Sequence, residues 1–180
     1  MKTAIGITIT AVALFMWGFV FWVFLIPDSA MQEVADNATT QEMLAEHFPA
    51  EGMYFIPGGD QEDPEWAELH AKGPIAMVSV TAGRPAQEPS VFIKGIIIEI
   101  FIAALIAWML ALSAPSLPGY SQRVIFVCIA GMTATLLTHG RGMVWFGATA
   151  DWVIPTAGYD FVSWLIAGLI LARFIRPVSH

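Results

Sequence analysis

Residues 4–26 (AIGITITAVALFMWGFVFWVFLI) contain no charged side chain, and a run of that length exceeds the roughly 20 apolar residues that carry a helix across a bilayer core. Inside a bilayer the backbone has no water to bond, so such a run must satisfy its own amides as a helix. Three further runs follow at 92–112 (FIKGIIIEIFIAALIAWMLAL), 123–139 (RVIFVCIAGMTATLLTH) and 158–175 (GYDFVSWLIAGLILARFI). Pro115, Pro118 and Gly119 force a turn between the second and third. The stretch 140–157 (GRGMVWFGATADWVIPTA) is only half apolar, and reads as an interfacial or re-entrant segment rather than a fifth span. Lys2 before the first run and Asp28-Ser29-Ala30 after it raise the alternative of a cleaved leader. Length and the bulk of Trp17 and Trp22 favour a retained anchor instead. The expected fold class is therefore an all-α membrane protein. Four transmembrane helices (1–26, then 92–112, 123–139 and 158–175 within a 92–176 membrane region) flank a small acidic α+β lobe at 27–91.

Charge is segregated to match. Twelve of the fifteen carboxylates fall between residues 27 and 91, so the net charge of −7 belongs to the lobe. That excludes nucleic acid as a partner, and it sets the lobe against an anionic lipid surface. Lys2, Arg123, Arg173 and Arg176 lie at one set of span ends and Lys94 and Arg141 at the other; the basic bias favours both termini inside and the lobe outside. Cys128 stands alone in an apolar run, so no intramolecular disulfide forms.

Within the lobe, Asp63-Pro64 opens a helix to about His70, and Thr39-x-x-Glu42 reads as a capping box opening a second helix towards His47. Met53 to Ile56 and Ile75 to Thr81 read as short strands. Two strands and a few helical turns bury little core alone. The lobe must rest on the membrane region or on a partner.

Ionisable residues in or beside the spans are the candidates for chemistry. Glu99 lies about 10 Å below the outer edge of the second span, where a carboxylate must be protonated, paired or turned inward. His139, Arg141 and Asp160 gather near the same ends, with Lys94 and Asp151. Glu99, His139, Arg141 and Asp160 thus form a candidate ligand or proton site. The plainer alternative pairs Arg141 with Asp160 or Asp151 and lets Lys94 snorkel. Glu99 itself is expected to meet Arg141, His139 or a hydroxyl such as Thr135.

A haem or metal centre at His139 lacks a second histidine within any span, so no cofactor is expected. Gly-x-Ser-x-Gly and phosphate-loop spacings are absent, which leaves catalysis without support. Small residues at Ala103, Ala107 and Ala111, and at Gly168 and Ala172, are expected to seal the second span against the fourth. The aromatic outer half of the first span (Phe15, Trp17, Phe19, Phe21, Trp22, Phe24) reads as a lipid-facing belt.

Trp17 with Pro27, Gly52-Met53-Tyr54-Phe55-Ile56-Pro57, His70 before Gly73-Pro74, Arg123, Trp145-Phe146-Gly147, Asp160 to Trp164 and Gly168 to Arg173 together resemble a set of four-span bacterial inner-membrane proteins of no known activity. The resemblance implies that membrane and that span count, and no catalytic residue. The expected function is a non-enzymatic accessory or scaffold subunit, with the lipid bilayer and a membrane-protein partner or a second copy as its contacts. A small redox or ligand-binding protein (haem, metal or quinone-like) is the first alternative, and a proton-coupled carrier the second.

Overall fold

A computed structural model describes residues 1–177. The chain is mostly helical, with four helices long and apolar enough to cross a membrane: Lys2–Leu25, Pro89–Ser116, Tyr120–Phe146 and Ala150–Phe174. In chain order the elements are α1 (Lys2–Val20), α2 (Asn37–His47), β1 (Gly52–Ile56), α3 (Pro64–Lys72), β2 (Ala76–Val80), α4 (Pro89–Ser113), α5 (Tyr120–Thr135), α6 (Arg141–Phe146) and α7 (Ala150–Phe174). Turns of π-helix extend α1 through Phe21–Leu25 and join α5 to α6 through Leu136–Gly140.

α7 is the hub, packed along α1 on one side and α5 on the other, while α4 leans chiefly on α1. The neighbours run antiparallel. Close packing at Gly6 against Phe174 and at Gly131 against Trp164 fixes the register of α7 on α1 and on α5. Both glycines are needed as such, since a Cβ on Gly131 would stand 2.2 Å from Trp164 Cγ, and one on Gly6 would stand 2.8 Å from Phe174 Cγ. The start of α1 and the end of α7 therefore share one end of the bundle, and the lobe occupies the other. A buried apolar cluster of Ile106, Leu110, Val127, Ala167 and Leu171 fills the end nearer the termini.

Several sequence expectations are corrected. The stretch 140–157 is absorbed into two long helices: α6 continues the third one to Phe146, α7 begins at Ala150, and Gly147 (φ 65°) makes the break. Pro155 sits in the second turn of α7 without ending it. Gly168 meets Val127 and the Val124 carbonyl of α5 rather than α4, α4 touches α7 sparsely, and Ala111 is exposed. Gly168 thus seals α7 to α5, while Ala103 and Ala107 are buried on α4 and Ala107 shares one cluster with Ala172. Two of the six belt aromatics also turn inward, because Trp17 and Phe21 pack on Tyr159, and Phe21 is only 6% exposed.

In the lobe, β1 and β2 pair antiparallel with Tyr54 opposite Val78. α2 is capped by Asp36, not Thr39: the Asp36 carboxylate accepts from the Ala38 and Thr39 amides and from the Thr39 hydroxyl at 2.7 Å. No residue from Trp22 through Ile102 is buried.

Candidate functional site

α7 presents Thr156, Tyr159, Asp160 and Ser163 at helical spacing on one face, and this face organises the polar end of the bundle. His139 comes from the π-helical turn Leu136–Gly140. The wider turn adds a residue and rotates the chain beyond it, as π-bulges at functional positions do, and it brings His139 Nε2 to 2.8 Å from Asp160 Oδ2. His139 is 16% exposed and Asp160 38%. On the other side of the ring, Nδ1 lies 3.4 Å from Thr156 Oγ1, whose proton goes to the Trp152 carbonyl at 2.7 Å.

Glu99 is half-buried on α4 and faces a cavity of about 260 Å³ between α1, α4 and α7. Tyr159, Asp160, Ser163 and Trp164 supply the α7 wall. Ser163 donates to the Tyr159 carbonyl at 2.8 Å. Tyr159 in turn belongs to an aromatic cluster in which Trp17 stacks on its ring at 6.0 Å and donates its indole N–H to the Tyr159 carbonyl at 3.2 Å. The cavity thus has an aromatic wall, two carboxylates and two hydroxyl-bearing side chains, a mixture suited to a small polar or cationic molecule.

Of the four expected site residues, His139 and Asp160 form a pair and Glu99 shares a cavity with Asp160. Arg141 joins neither. It is exposed at the start of α6, and the only ion pair among the described residues is His139 with Asp160, so the expected pairing of Arg141 with Asp160 or Asp151 is replaced by His139. Glu99 makes no hydrogen bond to Arg141, His139 or Thr135. The buried Thr135 hydroxyl has no hydrogen-bond partner. No group of three His, Cys, Asp or Glu side chains among the described residues is arranged to hold a metal ion. Tyr159, Ser163 and Thr156 escape the sequence reading, although their spacing around Asp160 is a readable signal.

A second concavity, of about 940 Å³, lies between the lobe and the tip of α6. The outward sheet face contributes Met53, Phe55 and Met77, and α6 contributes Val144, Trp145 and Phe146; the Phe55 and Phe146 rings are 6.2 Å apart. All six side chains are at least 48% exposed. Trp66 stacks on His70 at the margin.

No protein-family model, no curated protein and no solved structure matches the chain.

Proposed function

We propose that the chain is an integral membrane protein of four spans, with its two ends and Lys2, Arg123, Arg173 and Arg176 on the inner face and the acidic lobe outside. Its role is that of an accessory or scaffold subunit whose lobe is completed by another membrane protein. One observation carries this reading: a lobe of more than sixty residues holds no buried side chain, while Met53, Phe55, Ile75 and Met77 stand open beside Val144, Trp145 and Phe146. A set of large apolar groups concentrated beyond the helices, rather than scattered, is the mark of a surface that something covers. The test is a photo-crosslinking residue at position 55 or 77, expressed at native level and extracted in mild detergent. A crosslink to a second polypeptide supports the role. Crosslinks confined to lipid or to this chain itself defeat it.

A second reading has its own support. The cavity at Glu99 and Asp160 favours a ligand-binding protein, and the pairing of His139 with Asp160 gives that site a proton donor at its rim. An optical spectrum of the purified protein, with mass spectrometry of co-purified small molecules, tests it. Glu99→Gln, which keeps the shape of the cavity, should fold normally and release whatever is bound; retention of the same molecule by that variant would count against this site.

A further inference from the structure

The end of the bundle opposite the lobe gathers positive charge, with no carboxylate side chain beside it among the described residues. Arg173 lies in the last turn of α7, Arg176 follows it, and Arg123 reaches across from α5; with Pro118, Tyr120 and Ala172 they wall a cleft of about 490 Å³. Arg123 is 4% exposed and uses four of its N–H groups on carbonyls: Nη1 donates to Leu117 and Pro118 at 2.8 Å each, and Nε and Nη2 donate to Ala172 at 3.3 and 3.2 Å. One Nη2 hydrogen is left over. Arg176 uses only Nε, on the Arg173 carbonyl at 3.1 Å, so its terminal amino groups are open among the described residues. The Arg173 guanidinium stands over the Tyr120 ring, 5.8 Å from its centre.

Charge balance is the difficulty this end presents. The carboxylate nearest to Arg173 along α7 is Asp160, about 20 Å away at helical rise, and the one ion pair among the described residues is at that far end. The last carbonyls of α7 offset part of the charge, but helix-end dipoles do not balance three guanidiniums. An anion with several acceptor oxygens does, and phosphate matches the fork geometry of arginine. Beside the cleft, Tyr120 bonds the Leu169 carbonyl at 2.9 Å, and Leu169 exposes its apolar side chain. Acyl chains would lie along it.

We propose that this cleft binds the phosphate of one anionic phospholipid in the leaflet facing the chain ends, held by Arg173 and Arg176 with Arg123 behind them. The proposal rests on the membrane reading above and is independent of the accessory role. Basic pockets between spans on the inner side of a membrane are a recurring way to hold such headgroups.

The experiment compares retention of dioleoylphosphatidylglycerol and dioleoylphosphatidylcholine by the full chain in detergent, using native mass spectrometry. The two lipids share tails and differ in net charge. Wild type should retain the glycerol lipid in preference, and the Arg173→Gln, Arg176→Gln double variant should bind it about 30-fold more weakly, the loss expected of two interfacial arginines. Both residues are exposed, and an unchanged circular dichroism spectrum confirms that the variant is folded. Equal retention of the two lipids by wild type, or an unchanged preference in the double variant, would overturn the cleft. Displacement of the lipid by millimolar inorganic phosphate would overturn the lipid as the source of the anion. A chain recovered in the soluble fraction without detergent would instead sink the membrane reading, which keeps the two failures distinguishable.

Discussion

Arg123 is the residue whose removal should cost the fold most. It stands in the first turns of α5, where a positive charge opposes the helix dipole, so its presence needs a compensating gain. That gain is visible in its fork. One edge grips the Ala172 carbonyl near the negative end of α7, and the other holds the Leu117 and Pro118 carbonyls of the turn that follows α4. A single side chain therefore ties together three helices, with the Tyr120 hydroxyl bond to the Leu169 carbonyl as a second polar link between α5 and α7. Hydrogen bonds from a charged donor contribute about 1.5–3 kcal/mol each. Counting the two 2.8 Å bonds in full and the longer Ala172 pair as one weak bond, and allowing the freed turn carbonyls to find water, Arg123→Ala should destabilise by about 3–5 kcal/mol. Arg123→Lys supplies one compact ammonium in place of a fork and should recover less than half of that. The measurement is reversible unfolding by SDS titration in mixed micelles, followed by tryptophan fluorescence. A loss below about 1 kcal/mol for Arg123→Ala, or full recovery by lysine, would refute the account, the latter by showing that charge alone matters.

Gly131→Ala places a Cβ against Trp164 and should lower stability by about 1–3 kcal/mol despite the better helix propensity of alanine; thermal unfolding in mild detergent checks it, and a rise in Tm would contradict the packing. Thr135→Val removes a buried hydroxyl that has no partner, so stability should hold or rise by about 1 kcal/mol in the same assay. The Thr39 hydroxyl, followed by the Thr39 and Ala38 amides, holds the Asp36 carboxyl below its ordinary value of 3.8. A depressed folded value means that the cap's contribution is fully present above pH 3.8 and fades as pH falls through the lower folded value. Protection of the α2 amides, taken relative to their intrinsic exchange rate at each pH, should accordingly fall in that acid range, and Asp36→Asn should abolish this loss while keeping the cap.

The four long helices are legible because apolar run length is a property of sequence alone, independent of how the runs pack. Their ends are less so. The Gly-rich, half-polar stretch after His139 looks like a break, yet nothing between Arg141 and Phe146 forbids continued helical bonding, and the chain turns only where Gly147 adopts a positive φ. Thr39 and Asp36 are both good caps set three residues apart, and the carboxylate wins by accepting two amides and the threonine hydroxyl itself. Within the site, Glu99 and Asp160 stand out from the cost of placing a carboxylate among apolar residues. The partner of Asp160 does not, because the π-helical turn at Leu136–Gly140 has no signature in composition and shifts the phase of every residue after it. Arg123 reads in sequence as a charge marking one side; of its three carbonyl partners, Leu117 and Pro118 lie in the preceding turn, while Ala172 comes from the antiparallel docking of α7 on α5, which no local pattern encodes.

The distribution of polar groups along the bundle bears on which of the functional readings can stand. His139, Thr156, Tyr159, Asp160, Ser163 and Glu99 all lie towards the lobe end, and the cavity at Glu99 abuts Ile106 and Trp164. Beyond it comes the closed apolar cluster of Ile106, Leu110, Val127, Ala167 and Leu171, and then Arg123, whose own donors are tied to backbone carbonyls. A proton or solute entering at Glu99 meets no further titratable side chain before that cluster. Moving a charge across it would carry the desolvation cost that confines intramembrane charges to lined pathways. A carrier escapes this by exchanging two packings of its helices, but α7 is locked to α5 at Gly131, where Trp164 leaves no room even for a methyl group, and to α1 at Gly6. α4 packs along α1 and shares the buried cluster through Ile106, Ala107 and Leu110, while touching α5 and α7 lightly. That locking is why we propose a site that binds, or a face that another protein covers, in preference to a carrier.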